Sequence, residues 1–91
     1  MATKRLFIAG RVQGVGYRAW MVQQAERLGV SGWVRNRRDG TLEALVDGDT
    51  ASVEELLRLC RRGPRLAEVT EIVEELAEPY NEPGFGRMPT V

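Results

Sequence analysis

The hydrophobic pattern of this chain changes in a fixed order between two repeat lengths, and that order limits the folds open to it. Segments in which apolar residues alternate predict β-strands, and segments in which they recur every three to four residues predict amphipathic helices. The order along the chain is strand, helix, strand, strand, helix, strand. The predicted strands are Lys4–Val12, Ser31–Asn36, Thr41–Asp47 and Ala67–Leu76, and the predicted helices run from Arg18 to Gly29 and from the turn at Asp49 to Gly63.

This order predicts an α+β fold of the ferredoxin-like, split βαβ kind (βαββαβ). Each strand–helix–strand crossover is expected to be right-handed, which places both helices on one face of a single antiparallel sheet. With 91 residues, the chain is expected to form one domain over residues 1–91, with a core of about 4–76. The stretch Pro79–Pro89 holds three prolines and two glycines. Residues 77–91 are therefore expected to form an irregular tail, with at most a short edge segment around Phe85–Met88.

The fourth strand and the start of the second helix each allow more than one interpretation. In the fourth strand, the apolar positions Val69, Ile72 and Val73 do not alternate strictly, so a helix also fits their spacing. The β-branched side chains favour the strand. At the second helix, Ser52 followed by Glu55 has the pattern of a capping box, although the turn at Asp49 also offers good capping chemistry.

Composition excludes several classes of site. The chain has no histidine and one cysteine, which excludes histidine-dependent triads, histidine or thiolate metal sites and an intrachain disulfide. No metal and no cofactor are expected. Thirteen basic side chains balance thirteen acidic ones, so no overall attraction to nucleic acid or to an anionic membrane is expected. No apolar run approaches the length of a membrane span and the N-terminus lacks a signal-peptide layout, so a cytoplasmic location is expected.

The segment Gln13-Gly14-Val15-Gly16-Tyr17-Arg18 carries the strongest functional signal. A strand runs into a turn with two glycines, and the turn opens a helix. The free N–H groups and the dipole of a helix N-terminus favour anions, and a turn with converging N–H groups adds to this. An arginine there opposes the dipole by about 0.3–1 kcal/mol. A bound dianion would reverse the sign of that effect, so the placement of Arg18 indicates an anion site.

Two nucleotide-binding motifs also place glycines between a strand and a helix, and neither is the favoured interpretation of this segment. The glycine spacing Gly14-x-Gly16-x-x-Ala19 matches a dinucleotide fingerprint, but the chain is too short for a doubly wound sheet. The Gly-Lys-Ser/Thr ending of a nucleotide hydrolase loop is absent.

A second segment, Gly32-Trp33-Val34-Arg35-Asn36, places an asparagine at the end of a strand. Asn36 is either a turn residue bonded to its own backbone or an amide that holds a water molecule.

Together these segments resemble the acylphosphatase family from about Lys4 to Leu76. The resemblance is carried by Gly10-x-Val12-Gln13-Gly14-Val15-Gly16-Tyr17-Arg18, by Gly32-Trp33-Val34-Arg35-Asn36, and by the Asp39-Gly40-Thr41 turn with Glu43. It implies a ferredoxin-like fold and hydrolysis of acyl phosphates to a carboxylate and inorganic phosphate, without metal or cofactor. It also implies the catalytic residues Arg18 and Asn36: Arg18 would bind the phosphate and Asn36 would orient the attacking water. The backbone N–H groups of Gln13, Gly14, Val15, Gly16 and Tyr17 would complete the phosphate site.

Two departures from the family pattern and two alternative functions accompany this resemblance. Tyr17 stands where phenylalanine is usual, which is expected to be a minor change. The tail after Leu76 is rich in proline and lacks a clear final strand, which concerns the edge of the sheet and not the site. The expected partners are an acyl phosphate and inorganic phosphate, the latter as product and inhibitor, and the expected state is a monomer. RNA-recognition domains share the same architecture, but the aromatic-rich strands that stack bases are missing. A catalytically silent acyl-phosphate-binding domain, of the kind fused to carbamoyl-transferring maturation proteins, is the closer alternative.

Overall fold

A computed structural model describes all residues from Met1 to Val91 and contains two helices and five strands. The predicted element order is confirmed, and most boundaries shift by one or two residues. The second strand, Ser31–Asn36, begins and ends where the sequence predicts. The elements are β1 (Ala2–Arg11), α1 (Tyr17–Leu28), β2 (Ser31–Asn36), β3 (Leu42–Gly48), α2 (Thr50–Arg62), β4 (Glu68–Leu76) and β5 (Phe85–Arg87).

The five strands form one sheet in the order β4-β1-β3-β2-β5. β1 and β3 occupy neighbouring central positions and pair antiparallel, and β4 and β2 flank them, also antiparallel. This is the predicted split βαβ arrangement. The first helix connects β1 to β2 and the second connects β3 to β4, and both helices contact the sheet. The radius of gyration is 11.7 Å.

The core lies between one face of the sheet and the two helices. Alternate side chains of β1, with Leu6 and Ile8 fully buried, face the same layer as Met21 of α1 and Leu56 of α2. The helices bury stripes at the expected spacing, because residues three and four apart share one side of a helix. In α1 the buried positions are Tyr17, Met21 and Ala25, and in α2 they are Val53, Leu56, Leu57, Leu59 and Cys60.

The irregular pattern of β4 has a structural cause. The register between β1 and β4 shifts by one residue, so that Ala9 pairs with Glu71 whereas Gly10 pairs with Val69. Thr70 is the extra residue of this β-bulge, and a bulge changes which side chains share a face. Val69 and Ile72, three residues apart, are therefore both half-buried against the core. The helix alternative for this segment is wrong.

Two expectations about the chain's second half need correction. The first turn of α2 is capped by Asp49, whose carboxylate accepts from the backbone N–H groups of Ala51 (3.1 Å) and Ser52 (3.4 Å). The capping box of Ser52 and Glu55 is wrong, since Ser52 lies inside the helix.

The second correction concerns the sheet edge. Phe85–Arg87 forms the short edge segment that was predicted within the tail, and it pairs with β2. The pairing is parallel, so the sheet is antiparallel through β1–β4 and mixed as a whole. Phe85 is buried in the core cluster opposite Gly32. Phe85 is thus the apolar anchor of the tail, and backbone hydrogen bonds such as that from the Met88 N–H to the Val34 carbonyl also hold the tail against the sheet.

Candidate active site

The glycine-rich turn between β1 and α1 presents a row of free backbone donors. Gly14 and Gly16 have φ angles of 75° and 79°, in the left-handed region that residues with a Cβ rarely adopt. Gly16 is the N-cap of α1 and has no side chain to cap the helix. The first backbone bond of the helix is from Trp20 to the Gly16 carbonyl (3.1 Å), and no N–H group from Gly14 to Ala19 donates to an acceptor in the chain. These donors are available to an anion.

Arg18 lies in the first turn of α1 and is half-buried. That turn contains no acidic residue, and Arg18 makes no ion pair. Nothing in the chain offsets the unfavourable interaction of its charge with the helix dipole. The structure therefore retains the feature that singled out this arginine in the sequence.

Tyr17 has a second role that the sequence did not reveal. Its ring is buried beneath the start of α1 and packs edge-on against Trp20, with ring centroids 5.3 Å apart. Its hydroxyl donates to the carbonyl of Cys60 in the last turn of α2 (2.6 Å). In a continuing helix that carbonyl would accept from residue 64, but Pro64 has no N–H group. Burial raises the pKa of Tyr17 well above its usual value, so the hydroxyl stays a donor.

Gln13 connects the turn to the β2–β3 hairpin through its side chain. Its Nε2 donates to the backbone carbonyls of Arg37 (2.7 Å) and Thr41 (2.9 Å). The predicted Asp39-Gly40 turn closes this hairpin, and the Asp39 carboxylate accepts from the Thr41 N–H (3.0 Å) and hydroxyl (2.6 Å). The hairpin therefore has a defined position relative to the glycine-rich turn.

Asn36 lies at the end of β2, and its side chain makes no hydrogen bond within the chain, so it does not serve as a turn asparagine. It lines a cavity of about 120 Å³ together with Arg18 and the two turn glycines. The full lining is Val12, Gly14, Gly16, Tyr17, Arg18, Ala19, Asn36 and Arg87. The side chains of Arg18 and Asn36, the two predicted catalytic residues, are far apart in the sequence but line the same cavity. Gln13 and Val15 are sequence neighbours of lining residues but do not line the cavity themselves.

Arg35 and Arg37 of the β2–β3 hairpin lie on the face of the sheet opposite to this cavity. Arg35 and Arg37 pair with Glu43, which is only 3% exposed, at N–O distances of 2.8 and 3.3 Å. The same two guanidiniums lie over the rings of Trp33 (4.7 Å) and Phe7 (5.4 Å). Both guanidiniums are therefore already paired within the chain. They also cover the sheet aromatics that an RNA-recognition domain would use for stacking.

A larger cavity of about 590 Å³ lies away from this site, between β1 and the end of β4. Its lining holds Arg5 and two glutamates but neither of the predicted catalytic residues. No group of three or more histidine, cysteine, aspartate or glutamate side chains is arranged to hold a metal ion. No helix is long and apolar enough to cross a membrane.

Comparison with known proteins identifies the family. The family model described as Acylphosphatase matches residues 4–86. The chain belongs to the acylphosphatase family. It is 66% identical over 90 residues to an acylphosphatase of Acidiphilium cryptum (strain JF-5), covering 99% of both chains. It is 49% identical over 92 residues to the acylphosphatase of Rhodospirillum rubrum, covering both chains completely. The crystal structure of acylphosphatase from Bacillus subtilis is similar at a TM-score of 0.91 and 29% identity, with 97% of this chain and 99% of that chain covered.

The family match extends beyond the motifs that first indicated it. The resemblance read from the sequence ends at about Leu76, whereas the acylphosphatase model reaches residue 86, inside β5. The region matched by the family model therefore includes the first two residues of the edge strand that was predicted within the tail. This edge strand also delivers Arg87 to the cavity, a residue that the sequence analysis did not select. The only available signal was the short apolar and glycine pattern around Phe85.

Proposed function

We propose that this acylphosphatase binds the phosphoryl group of an acyl phosphate in the cavity between the glycine-rich turn and the end of β2. The observation that carries this proposal is that Arg18, Asn36 and the free N–H groups of the turn border one small cavity. A planar guanidinium grips two phosphate oxygens at once, and the turn amides complete the coordination of the anion. We propose these roles for Arg18 and for the N–H groups from Gln13 to Tyr17.

The reaction needs little proton transfer. A water molecule attacks phosphorus, the bond between phosphorus and the acyl oxygen breaks, and that oxygen leaves as a carboxylate, while both protons of the water stay on the product phosphate as dihydrogen phosphate. A carboxylate is a weak base, so its departure requires no general acid. Phosphoryl transfer passes through a loose transition state in which positioning and charge stabilisation dominate. A guanidinium, several amides and one orienting side chain therefore suffice, which fits a chain without histidine.

Asn36 is the residue we propose for orienting the attacking water. Its amide offers an oxygen that accepts and a nitrogen that donates, and neither is used by another group of the chain. The ladder to β3 holds its backbone opposite Leu42, and its carbonyl accepts from the Val91 N–H (3.2 Å). The backbone is thus held on both sides while the side chain stays free for the water.

Product inhibition by inorganic phosphate follows from the same site, because the product keeps the phosphoryl oxygens that the cavity binds. The monomeric state and the cytoplasmic location stay predictions from the sequence.

The test is release of phosphate from benzoyl phosphate by the purified chain in the presence of EDTA. We expect turnover well above spontaneous hydrolysis and inhibition by added inorganic phosphate. A rate equal to the spontaneous one, with or without EDTA, would contradict the proposal and would favour a silent acyl-phosphate-binding domain.

Two variants separate the proposed roles. Arg18→Ala is expected to abolish turnover and inhibition by phosphate together, since the same group binds substrate and product. Asn36→Ala is expected to cost about 3–4 kcal/mol in kcat, by analogy with the loss of one oxyanion donor, while phosphate still inhibits. If Asn36→Ala weakened phosphate binding to the same extent as turnover, Asn36 would have a structural role instead.

A further inference from the structure

The cavity that holds Arg18 has a second arginine in its wall, contributed by the edge strand β5. Arg87 lines the cavity with Arg18 and Asn36. The parallel pairing with β2 fixes its position, since Phe85 lies opposite Gly32 and Arg87 lies opposite Val34. The ladder continues past Arg87 through a bond from the Met88 N–H to the Val34 carbonyl (3.0 Å).

The strand register also fixes the face on which the Arg87 side chain lies. Residues two apart in a strand share a face, and Phe85 faces the helix layer because it belongs to the buried core. Arg87 therefore lies on the helix side of the sheet, the same side as Val34 and Asn36. That side also carries α1, whose first turn holds Arg18.

The charges around the cavity do not balance within the chain. Its lining contains two arginines and no acidic residue, and neither arginine makes an ion pair. Two like charges facing one small space repel each other, and the helix N-terminus adds further positive potential. An anion with two negative charges would relieve both effects, whereas a neutral or cationic ligand would relieve neither.

We infer that Arg87 is a second anion-binding residue of this site, one that contacts the phosphoryl oxygens of substrate and product together with Arg18. This inference rests on the proposed function and adds a residue to its binding site. Arg87 strengthens binding of the phosphoryl group from the strand side, and Arg18 does so from the helix side. Asn36 remains the residue that orients water.

The inference is tested with Arg87→Gln and Arg87→Met, each compared with Arg62→Gln. Arg62 lies at the exposed end of α2, makes no ion pair and does not line the cavity, so its variant removes one positive charge elsewhere. The measurements are KM and kcat for benzoyl phosphate, and the dissociation constant of inorganic phosphate by calorimetry. Arg87→Met retains an unbranched apolar stem and so isolates the loss of the guanidinium.

We expect both Arg87 variants to raise KM and the phosphate dissociation constant about tenfold, the order expected for one lost charge-assisted hydrogen bond. Because the contact exists in ground and transition states alike, kcat should change much less. Arg62→Gln should leave all three quantities at wild-type values. Melting temperatures without phosphate should not fall below wild type for any variant, since Arg87 is exposed, its side chain holds no other group of the chain, and without an anion it repels Arg18.

Unchanged phosphate affinity and KM in both Arg87 variants would overturn the inference, as would an equal change in Arg62→Gln. A lower melting temperature with unchanged phosphate affinity would also overturn it and would make Arg87 a structural residue. Phosphate calorimetry does not depend on turnover. If wild type binds phosphate through Arg87 and fails to hydrolyse benzoyl phosphate, only the proposed function fails.

Discussion

The hydroxyl of Tyr17 is expected to stabilise the fold although the family pattern favours phenylalanine at this position. The perturbation is Tyr17→Phe, which removes one oxygen atom and keeps the ring against Trp20. The carbonyl of Cys60 then loses its one hydrogen-bond donor, because Pro64 has no N–H group to replace it. Cys60 is fully buried, so water does not compensate.

The size of the effect follows from that unsatisfied carbonyl. Leaving a buried acceptor without a partner costs about 1–3 kcal/mol, more than the roughly 1 kcal/mol net value of a typical hydrogen bond. For a domain of this length, each kcal/mol corresponds to a shift of roughly 4–8 °C in melting temperature. A loss of about 2 kcal/mol therefore lowers the melting temperature by roughly 8–16 °C.

The assay is urea denaturation with thermal melting, and Tyr80→Phe is the matched control. Tyr80 is half-buried, and its hydroxyl makes no hydrogen bond in the chain. Its backbone N–H donates to the Asp47 carboxylate (2.9 Å), and the substitution leaves that hydrogen bond in place. The control should stay within about 0.5 kcal/mol of wild type. Turnover of folded Tyr17→Phe at 25 °C should match wild type, since the backbone N–H of residue 17 is retained. Equal stability of Tyr17→Phe and wild type, or an equal loss in Tyr80→Phe, would refute the reasoning.

Three further predictions concern other contacts. Gln13→Ala leaves the carbonyls of Arg37 and Thr41 without their side-chain donor and should lower kcat/KM for benzoyl phosphate about tenfold, a loss of roughly 1.4 kcal/mol; wild-type kinetics would show that this link does not position the site. Asp49→Ala should lower the free energy of unfolding, measured with urea, by about 1 kcal/mol, whereas Ser52→Ala should lower it much less. The reverse order would indicate that Ser52 and Glu55 form a capping box after all. Burial raises the pKa of Cys60 from 9.0 to about 12, so the unfolded thiol loses its proton first. The contribution of this group to stability is therefore full well below pH 9 and should be lost as pH rises from 9 towards 12, with a slope that approaches about 1.4 kcal/mol per pH unit. Cys60→Ala should make the slope between pH 9 and 10 clearly shallower, with the remainder coming from buried Tyr17, whose pKa is also raised by burial; an unchanged slope there would contradict the assignment.

Most of the fold could be predicted because local and long-range signals agree. The alternation of β1 and β3 and the apolar stripe of α2 follow from burial on one face, which a sequence displays directly. The bulge at Thr70 could not be read in advance, since it is defined by pairing with Gly10, a residue of another strand. The parallel direction of β5 was hidden for the same reason. A three-residue strand carries too short a pattern, and its place is set by Phe85 packing against Gly32.

The candidate site divides in the same way. Arg18 stood out because its charge opposes the dipole of its own helix, a conflict visible within a few residues of sequence. Asn36 was selected only through the family resemblance, since an asparagine at a strand end is common in turns. Arg87 gave no signal, because its role depends on a strand that forms only when the tail folds back against β2. Likewise, the hydrogen bond of Tyr17 depends on the carbonyl of Cys60, which lies in a distant segment of the chain.

Stability and positioning rest on different contacts around this cavity. The bond from Tyr17 to Cys60 joins α1 to the far end of α2, and Cys60 does not line the cavity. The bonds from Gln13 instead join the glycine-rich turn to the hairpin that directly follows Asn36, so they connect the two walls between which the phosphoryl group would lie. Because catalysis by positioning is sensitive to small displacements of those walls, Gln13 should affect turnover more than stability. Tyr17 should show the opposite balance. The two contacts share no partner, so the losses of stability in Tyr17→Phe combined with Gln13→Ala should add. A double variant that was markedly more stable than this sum would indicate that the turn and the helix end move as one unit.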